Sequence, residues 1–365
     1  MPALNEKKKQ ITNRSNYRLS IIIPARNEED NLRRLLGSLQ LQTVPVDEII
    51  VVDDHSDDKT SQVALSHGAK VIQVPDLPEG WLGKSWACWH GALAAKGDLL
   101  IFLDADVFLE KEAILNLLFT YEEKRGLISV QPYHVMVRKD EKLSAFFNLL
   151  MTLNMNLPLL FKKVIKPLGA YGPCLVCHRQ DYFAVGGHQA VRDKILEDIV
   201  LGRHFLERGI PVHLYRGQGT IFFRMYPYGL QQLIEGWTKN FASGAFSSNP
   251  LGLLICVGWV TFCLSTPLNM IKGFIAGQWL MVIISSILYF FYAAQIHWAL
   301  NRLGNFNSAI AIFYPFFLVF FVAIFFRSLF YTYCLRQVTW KGRQIKLAAK
   351  KEQIKEKKLI FNKLK

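Results

Sequence analysis

The amino-acid sequence predicts an α/β protein built on a mostly parallel sheet and followed by a membrane region. Three observations support this prediction. Apolar strand patterns alternate with helical patterns up to residue 249, polar clusters follow the ends of those strands, and long apolar stretches begin at Pro250. Strands and helices that alternate in this way form parallel sheets covered by helices on both faces. A chain of 365 residues has room for one large domain and a membrane region.

The predicted elements follow one another in a regular order. Strands are predicted where short apolar runs end at polar residues, and helices where apolar residues recur every three to four positions. These patterns predict strands at 19–25, 48–53, 69–74 and 99–103, and helices at 28–41, 57–67, 84–96 and 199–208. The carboxyl ends of parallel strands lie at one edge of a sheet, which is where ligands bind. We therefore expect the polar clusters after Ile23, Val52 and Leu103 to lie close together.

The net charge of +14 is concentrated at the two ends of the chain. Residues 1–18 carry five Lys/Arg against one Glu, and residues 336–365 carry eleven Lys/Arg against two Glu. The intervening residues are close to neutral, which argues against a nucleic-acid partner because such proteins present a basic face on the folded domain. A lysine-rich segment directly after an apolar stretch is typical of attraction to anionic lipid head groups. We predict a basic amino-terminal arm over 1–18 and a basic juxtamembrane tail over 336–365.

Three apolar stretches, at 250–271, 276–300 and 308–332, are each long enough to cross about 30 Å of hydrocarbon. The predicted membrane region therefore covers 250–335 and holds two to three transmembrane helices. Three crossings would separate the large domain from the tail, whereas the Lys/Arg excess at both ends favours a cytoplasmic position for both. One stretch is thus a candidate for a re-entrant or interfacial segment. The first stretch is the weakest candidate for a span because it contains Ser265, Thr266, Pro267 and Asn269.

The start of the chain bears on the same question. Residues 1–18 are polar and basic and lack the apolar core of a signal peptide, so we expect the large domain to lie in the cytoplasm. Together with the apolar stretches, this predicts a multi-pass protein of the cell membrane.

Residues 142–161 are apolar but interrupted by Asn and Pro. They fit either a buried helix or a helix at the membrane surface, and we favour the interfacial helix.

Candidate functional residues follow the predicted strands. Asp104 and Asp106 come directly after strand 99–103, and two carboxylates so placed can hold a hard divalent cation such as Mg²⁺ or Mn²⁺. Such a cation neutralises the charge that develops on a nucleotide diphosphate leaving group. Read alone, the D-x-D triplet is also typical of an ordinary turn.

Two further strand ends carry polar residues that suit a nucleotide. Asp53 and Asp54 fit either a loop that caps the next helix or acceptors of hydrogen bonds from a base or ribose. The segment 24–29 leads into the first helix, where a helix amino terminus and Arg26 favour an anionic ligand. Lys84, at the start of helix 84–96, is placed to contact a donor phosphate.

The remaining candidates lie in the second half of the domain. Glu197 and Asp198 precede helix 199–208, where acids commonly interact with the helix dipole. Alternatively, one of them takes a proton from an acceptor hydroxyl or orients an acceptor that is already anionic. Arg224, Trp237 and Lys239 precede the membrane region and offer two cations for phosphate and an aromatic ring for a sugar.

Taken together and in this order, the motifs resemble those of family 2 glycosyltransferases with the Rossmann-like GT-A fold. They are P-A-R-N-E-E at 24–29, V-D-D at 52–54, G-K-S-W-A at 83–87, D-A-D at 104–106, G-G-H at 186–188 and E-D at 197–198. The resemblance implies a GT-A domain over 19–249 that carries out an inverting displacement, with Asp198 as general base and Glu197 as its rival. It further implies a donor site at Pro24, Arg26, Glu28, Asp53, Asp54, Lys84 and Asp104, a metal site at Asp104 and Asp106, and acceptor or diphosphate contacts at His134, His188, Arg224, Trp237 and Lys239.

A closer resemblance exists to a group within that family. The segments Q-P-Y-H at 131–134, F-R-M-Y at 223–226, E-G-W-T-K at 235–239, G-A at 244–245 and W-K-G-R-Q at 340–344 resemble enzymes that esterify glucose from UDP-glucose onto a C30 carotenoid acid such as 4,4′-diaponeurosporenoate. The resemblance covers nearly the whole chain and implies a UDP-sugar donor, a carotenoid acceptor and a membrane location. Gly236 and Leu233 depart from the Q-x-x-R-W pattern of many relatives, which disfavours a processive synthase.

Two alternatives stay open. The first keeps the transfer but changes the acceptor to a polyprenyl phosphate, a diacylglycerol or a sphingoid lipid. The second is a non-catalytic membrane module that binds nucleotide sugars. The intact D-A-D and E-D motifs argue against the second alternative.

Overall fold

The computed structural model describes residues 1–4, 17–160, 169–247 and 250–335, together with the backbone of 337–340 and 343–346. Most of the predicted basic arm and of the predicted basic tail therefore lies outside the described residues. Within the described part, the amino terminus is joined to the sheet, because Ala3 pairs with Arg216 and the side chain of Leu4 is buried.

A seven-stranded sheet with the order β3-β2-β1-β4-β8-β6-β9 forms the centre of the large domain. Only β8 runs against its neighbours β4 and β6, so the sheet is mostly parallel, as predicted. Its strands are β1 (Leu19–Ala25), β2 (Glu48–Asp53), β3 (Lys70–Gln73), β4 (Leu99–Leu103), β6 (Leu127–Gln131), β8 (Cys174–His178) and β9 (Val212–Arg216). The strand predictions at 19–25, 48–53 and 99–103 are confirmed to the residue.

A three-stranded sheet lies beside the main one. It consists of β5 (Val107–Leu109), β7 (Tyr133–His134) and β10 (Ile221–Phe223), with β10 in the middle. The backbone N–H of Arg224 donates a hydrogen bond to the carbonyl of Asp106 (3.2 Å), which joins the end of β10 to the D-A-D loop. A third, two-stranded sheet is formed by β11 (Gln337–Trp340) and β12 (Arg343–Lys346).

Helices cover both faces of the main sheet. They are α1 (Glu29–Gln40), α2 (Thr60–Ser66), α3 (Gly83–Ala94), α4 (Ala113–Lys124), α6 (Arg179–Ala184) and α7 (Glu197–Glu207). The apolar faces of α1 and α4 pack on one side of the sheet, and those of α3 and α7 pack on the other. Short 3₁₀ segments stand at Asp140–Ser144 and Gly187–Gln189.

The carboxyl-terminal half continues as helices α5 (Ala145–Leu160), α8 (Leu230–Ser247), α9 (Pro250–Ile275), α10 (Trp279–Leu303), α11 (Ser308–Ile312) and α12 (Tyr314–Phe330), with a π-turn at Tyr331–Leu335. Three of these, α9, α10 and the segment Tyr314–Leu335, are long and apolar enough to cross a membrane. Helix α9 passes through Pro267 without a break. The hydroxyls of Ser265 and Thr266 donate to the carbonyl of Phe262 in the preceding turn, so these polar groups are satisfied inside the helix.

Helix α5 lies between the sheet domain and the apolar helices. From Ala145 to Leu150 its side chains are all buried. The ring of Phe147 stacks on Trp237 with 4.7 Å between centroids, and the ring of Phe146 lies 6.3 Å from that of Trp259. The described side chains at the start of 142–161 are therefore buried between the sheet domain and the apolar helices, and the position of this segment at the membrane surface stays a prediction. One apolar core joins the large domain to the membrane region.

Candidate active site

Three carboxylates converge on one lysine at the carboxyl edge of the sheet. The Nζ atom of Lys84 lies 2.9 Å from Asp104 Oδ1, 3.1 Å from Glu197 Oε1 and 3.2 Å from Asp198 Oδ2. These four residues are called the carboxylate–lysine cluster below. The side chain of Lys84 is 32% exposed, so the cluster is open to a ligand on one side.

Three elements of the fold deliver these side chains. Asp104 follows the fully buried strand β4, and its N–H is fixed by the carbonyl of Pro173 (3.0 Å). Lys84 lies in the first turn of α3, and Glu197 and Asp198 form the first turn of α7. Acids in a first turn are stabilised by the positive end of the helix dipole, which suits the two residues of α7.

The pKa values in the cluster depend on burial and on the presence of three carboxylates around one ammonium. Burial disfavours the ammonium form of Lys84, but Asp104, Asp198 and Glu197 outweigh it and raise its pKa well above the usual value. Burial and the neighbouring Asp198 raise the pKa of Glu197, against the lowering effect of Lys84 and the more distant Lys239. The pKa of Asp198 is raised in the same way by burial, against the effect of Lys84. One ammonium thus faces three carboxylates, and the cluster carries an excess of negative charge.

This excess fits a divalent cation whose coordination shell is completed by a substrate. Across the described ranges, no three His, Cys, Asp or Glu side chains converge as ligands of a single ion. Mg²⁺ is usually held in proteins by one or two carboxylates while substrate phosphates and water complete its octahedron. Asp104 and Asp106, two residues apart at the end of β4, could supply the one or two carboxylates that such an ion needs.

The loops after β1 and β2 are bonded to each other beside the cluster. The Arg26 guanidinium donates to the carbonyl of Asp54 (2.7 Å), and Asp54 N–H donates to the carbonyl of Ala25 (2.9 Å). The N–H of Glu28 donates to the Thr60 hydroxyl (2.9 Å). Because β1, β2 and β4 are adjacent and parallel, the structure brings the predicted nucleotide residues to the same edge of the sheet as Asp104.

Asp53 has a structural task within these loops. Its Oδ1 atom accepts a hydrogen bond from Ser56 N–H (3.0 Å), its Oδ2 atom accepts one from the Ser61 hydroxyl, and the residue is 2% exposed. Pro24 precedes the loop as the penultimate residue of β1. Asp53 therefore supports the loop after β2, which was one of its two interpretations.

The structure does not bring Trp237 to the cluster. The residue is 2% exposed, it stacks on Phe147, and its Nε1–H donates to the Ser144 hydroxyl (3.3 Å). In this structure the indole ring is therefore packed in the core, and the sugar-stacking contact stays a prediction. The neighbouring position 236 has no room for a side chain, because a Cβ atom on Gly236 would meet the Tyr226 ring at 2.3 Å.

Both predicted histidines are buried away from solvent. His188 is 1% exposed and bonds Tyr182 through Nδ1 (2.9 Å), and burial lowers its pKa to about 4. His134 is also 1% exposed, bonds the Asn148 amide through Nδ1 (3.0 Å), and has a pKa lowered by burial to about 3. Both imidazoles are neutral near pH 7 and contact neighbouring side chains here, and their contacts to a diphosphate or an acceptor stay predictions.

Arg224 is held next to the D-A-D loop by an ion pair. Its guanidinium donates two hydrogen bonds to Glu141 Oε1 (3.0 and 2.5 Å), and Glu141 is 1% exposed. The other carboxylate oxygen of Glu141 accepts from the N–H of Val137 (2.6 Å). Arg224 thus lies near Asp106, and sequence reasoning missed the acid that fixes it.

Sequence reasoning also missed the segment 169–173, which supports two members of the cluster. A Cβ atom on Gly172 would meet Asp198 Oδ2 at 1.7 Å, and one on Gly169 would meet the Ile199 carbonyl at 1.9 Å. The next residue, Pro173, accepts the hydrogen bond from Asp104 N–H. The first turn of α7 therefore packs directly against residues 169–173. The signal in the sequence is G-A-Y-G-P directly before a buried strand.

We expect Gly172→Ala to lower kcat/KM for the sugar donor at least 10-fold, because the new methyl group displaces the Asp198 carboxylate from Lys84 and small displacements of reacting groups are costly. Initial rates with the purified variant measure this. Gly37→Ala, in α1 with no atom within 4 Å of its added Cβ, is the matched control and should keep wild-type kinetics. Wild-type kinetics in Gly172→Ala would contradict the supporting role of this segment.

Comparison with known proteins agrees with this fold. The family model described as "Glycosyl transferase family 2" matches residues 20–200, which include the carboxylate–lysine cluster and both loops beside it. The chain belongs to this family, and it is a glycosyltransferase with the GT-A fold.

Individual relatives extend the comparison to the membrane region. The chain is 38% identical over 339 residues to a 4,4′-diaponeurosporenoate glycosyltransferase of Staphylococcus aureus (strain USA300), covering 92% of this chain and 89% of that one. A mannosyltransferase from Pyrobaculum calidifontis, solved with GDP-Man and Mn²⁺, is 15% identical with a TM-score of 0.51 over 90% of this chain and 89% of that one. Glucosyl-3-phosphoglycerate synthase from Mycobacterium tuberculosis, solved with Mn²⁺, UDP and phosphoglyceric acid, is 22% identical over 64% of this chain and 78% of that one, with a TM-score of 0.44.

Proposed function

We propose that this glycosyltransferase transfers a hexose, glucose in the first instance, from a UDP-sugar to the carboxylate of a carotenoid acid such as 4,4′-diaponeurosporenoate. The observation that carries the proposal is the carboxylate–lysine cluster at the strand ends of a domain packed directly against apolar helices. The similarity to the staphylococcal relative supports the choice of acceptor, because it covers 92% of the chain and therefore includes most of the membrane region.

The proposed donor site runs along the carboxyl edge of the sheet. The linked loops after β1 and β2 hold the nucleotide, and Lys84 faces the diphosphate from the start of α3. A divalent cation at Asp104 and Asp106 would neutralise the charge that develops on the leaving UDP. Lys84 contributes in the same sense, since its raised pKa keeps it charged near pH 7.

The proposed reaction is a single displacement. An oxygen of the acceptor carboxylate forms a bond to the anomeric carbon while the bond from that carbon to the diphosphate oxygen breaks. The electron pair of the broken bond leaves with UDP, and the product is a glycosyl ester of inverted configuration. A carotenoid acid with an ordinary carboxyl pKa of about 4 is ionised near pH 7, so no proton has to be removed from it.

This chemistry gives Asp198 and Glu197 a positioning role in the proposed reaction. Both hold Lys84, and neither is required as a base when the acceptor is already an anion. With a hydroxyl acceptor one of them would take the proton, and pKa values raised by burial suit that task. The nature of the acceptor therefore decides what these two acids do.

We place the catalytic domain on the cytoplasmic face of the cell membrane. Eleven Lys/Arg residues at 336–365 follow the last apolar helix, and an excess of Lys/Arg beside apolar helices favours the cytoplasmic side. A cytoplasmic domain that packs on apolar helices would meet a soluble donor and a lipid-dissolved acceptor at the same surface.

The acceptor is tested with the full chain in lipid nanodiscs and UDP-glucose labelled in its sugar. We expect label in an alkali-labile ester of the C30 carotenoid acid, and none when the methyl ester of that acid replaces it, because the attacking oxygen is then blocked. Polyprenyl phosphate, diacylglycerol and a sphingoid lipid serve as competing acceptors. Label found only in one of these three lipids would contradict the proposal.

A further inference from the structure

Helices α9 and α10 form an antiparallel hairpin. The Trp259 indole N–H donates to the Gln295 side chain (3.0 Å), and further along the pair the Ser286 hydroxyl lies 3.5 Å from the Met270 sulfur. The turn at 276–278 closes the hairpin. Each arm has at least 25 residues, which at 1.5 Å per residue gives roughly 37 Å and exceeds a hydrocarbon core of about 30 Å.

The open end of this hairpin is attached to the catalytic domain. After α10, Gly304 pairs with His134 of β7, and the Asn305 side chain accepts from Met136 N–H (2.7 Å) and donates to the Met136 carbonyl (3.0 Å). The closed end carries Lys272 and the exposed Trp279. Lys and Trp are residue types that favour the membrane–water interface.

The chain then returns part of the way along the hairpin. It leaves the catalytic domain at Asn305 and runs through α11 to the start of α12. There the Tyr289 hydroxyl donates to the Ile312 carbonyl (2.5 Å), and the Tyr314 hydroxyl donates to the Cys263 carbonyl (3.1 Å). Cys263 stands in the middle of α9, so α12 begins about halfway along the hairpin.

Helix α12 runs from that point back to the catalytic domain. The ring of Phe321 lies 5.0 Å from that of Phe147 in α5, and the Ser328 hydroxyl donates to the Thr238 carbonyl in α8 (2.6 Å). From Tyr314 to Ser328 the helix rises roughly 21 Å, which is less than the hydrocarbon thickness of about 30 Å. Both ends of the segment 305–328 therefore contact the same domain.

We infer that α9 and α10 cross the membrane as a hairpin, whereas α11 and α12 enter one leaflet and leave it on the side of the catalytic domain. The partner of the outer face of α12 is the hydrocarbon of that single leaflet, since the exposed side chains along the helix include the apolar Phe316, Val319, Phe326 and Phe330. The exposed Arg327 stands in the last turn, where the helix reaches the catalytic domain and leaves the leaflet. The third apolar stretch is thus the re-entrant one, and the first stretch, despite Pro267, is a full crossing. This arrangement resolves the conflict between three apolar stretches and basic residues at both ends of the chain.

Site-directed labelling with a membrane-impermeant maleimide tests this topology in intact and permeabilised cells. Cys334 is exposed at the end of α12 and serves as the first probe in a Cys256→Ser background. Ala276→Cys at the hairpin turn and Lys111→Cys on the catalytic domain are the second and third probes, each with Cys334→Ser added; both positions are exposed. The four other cysteines are buried and common to all variants.

We expect Cys334 and Lys111→Cys to react from the same side of the membrane and Ala276→Cys to react from the opposite side. The comparison is relative, so it holds whichever side the catalytic domain occupies. Reaction of Cys334 from the side of Ala276→Cys would show a third crossing and overturn the inference. Reaction of Ala276→Cys from the side of Lys111→Cys would show that the hairpin does not cross, which would also overturn it.

Discussion

Replacing Lys84 with methionine is expected to lower the turnover number about 100-fold, which is the usual cost of removing one group that stabilises charge in a transition state. Methionine keeps much of the side-chain volume but leaves Asp104, Glu197 and Asp198 without the ammonium that contacts all three. Because Lys84 lowers the pKa of Glu197 and Asp198, its removal should raise both pKa values. The acid limb of the pH–rate profile should therefore move to higher pH.

Steady-state kinetics between pH 5 and pH 9 measure both effects in the Lys84→Met variant. Lys111→Met is the matched control, because Lys111 is exposed in the turn before α4 and lies outside the site. An unchanged turnover number together with an unmoved acid limb would mean that Lys84 serves packing alone.

Asp104→Asn is expected to lower kcat/KM for the UDP-sugar about 100- to 1000-fold. The substitution keeps the shape of the side chain and removes the charge that faces Lys84 at 2.9 Å. It also removes one of the two carboxylates proposed to hold the divalent cation, so the remaining activity should respond weakly to added Mg²⁺ or Mn²⁺. Rates measured across a metal titration, with a chelator as the zero point, separate these two consequences.

The control for this variant is Asp98→Asn, which changes the same chemistry at the opposite end of β4, where the carboxylate pairs with Arg18 at 3.5 Å. It should behave as wild type. If Asp104→Asn kept wild-type kinetics and an undiminished response to metal, the proposed cation site would have to lie elsewhere.

Three strands of the main sheet, β1, β2 and β4, could be predicted closely because each is a short, largely buried apolar run with a clear end. The start of α2 could not, and it lies at Thr60 where the sequence suggested residue 57. Asp58 explains the difference: its Oδ1 atom accepts the hydrogen bond from Thr60 N–H (2.9 Å), and its Oδ2 atom accepts one from Glu29 N–H (3.1 Å). The bond from Glu29, at the start of α1, holds Asp58 in the turn before α2, and such a distant partner cannot be read from a local pattern.

Part of the candidate site could also be predicted from the sequence. Asp104, Glu197 and Asp198 were identifiable as candidates because their motifs stand in the same order as those of family 2 glycosyltransferases, although each motif alone is common in turns or at helix starts. The packing of Trp237 could not be predicted, since its stacking partner Phe147 lies 90 positions away in the sequence. Gly172 was missed because its importance arises only where the chain brings it against α7.

The most direct test of the account is calorimetric titration of UDP into the full chain in lipid nanodiscs, with Mn²⁺ present and with a chelator in its place. The account predicts binding that requires the cation, and loss of that binding in Asp104→Asn. UDP binding of equal strength without any divalent cation, or no UDP binding and no turnover of any UDP-sugar by the reconstituted protein, would contradict it.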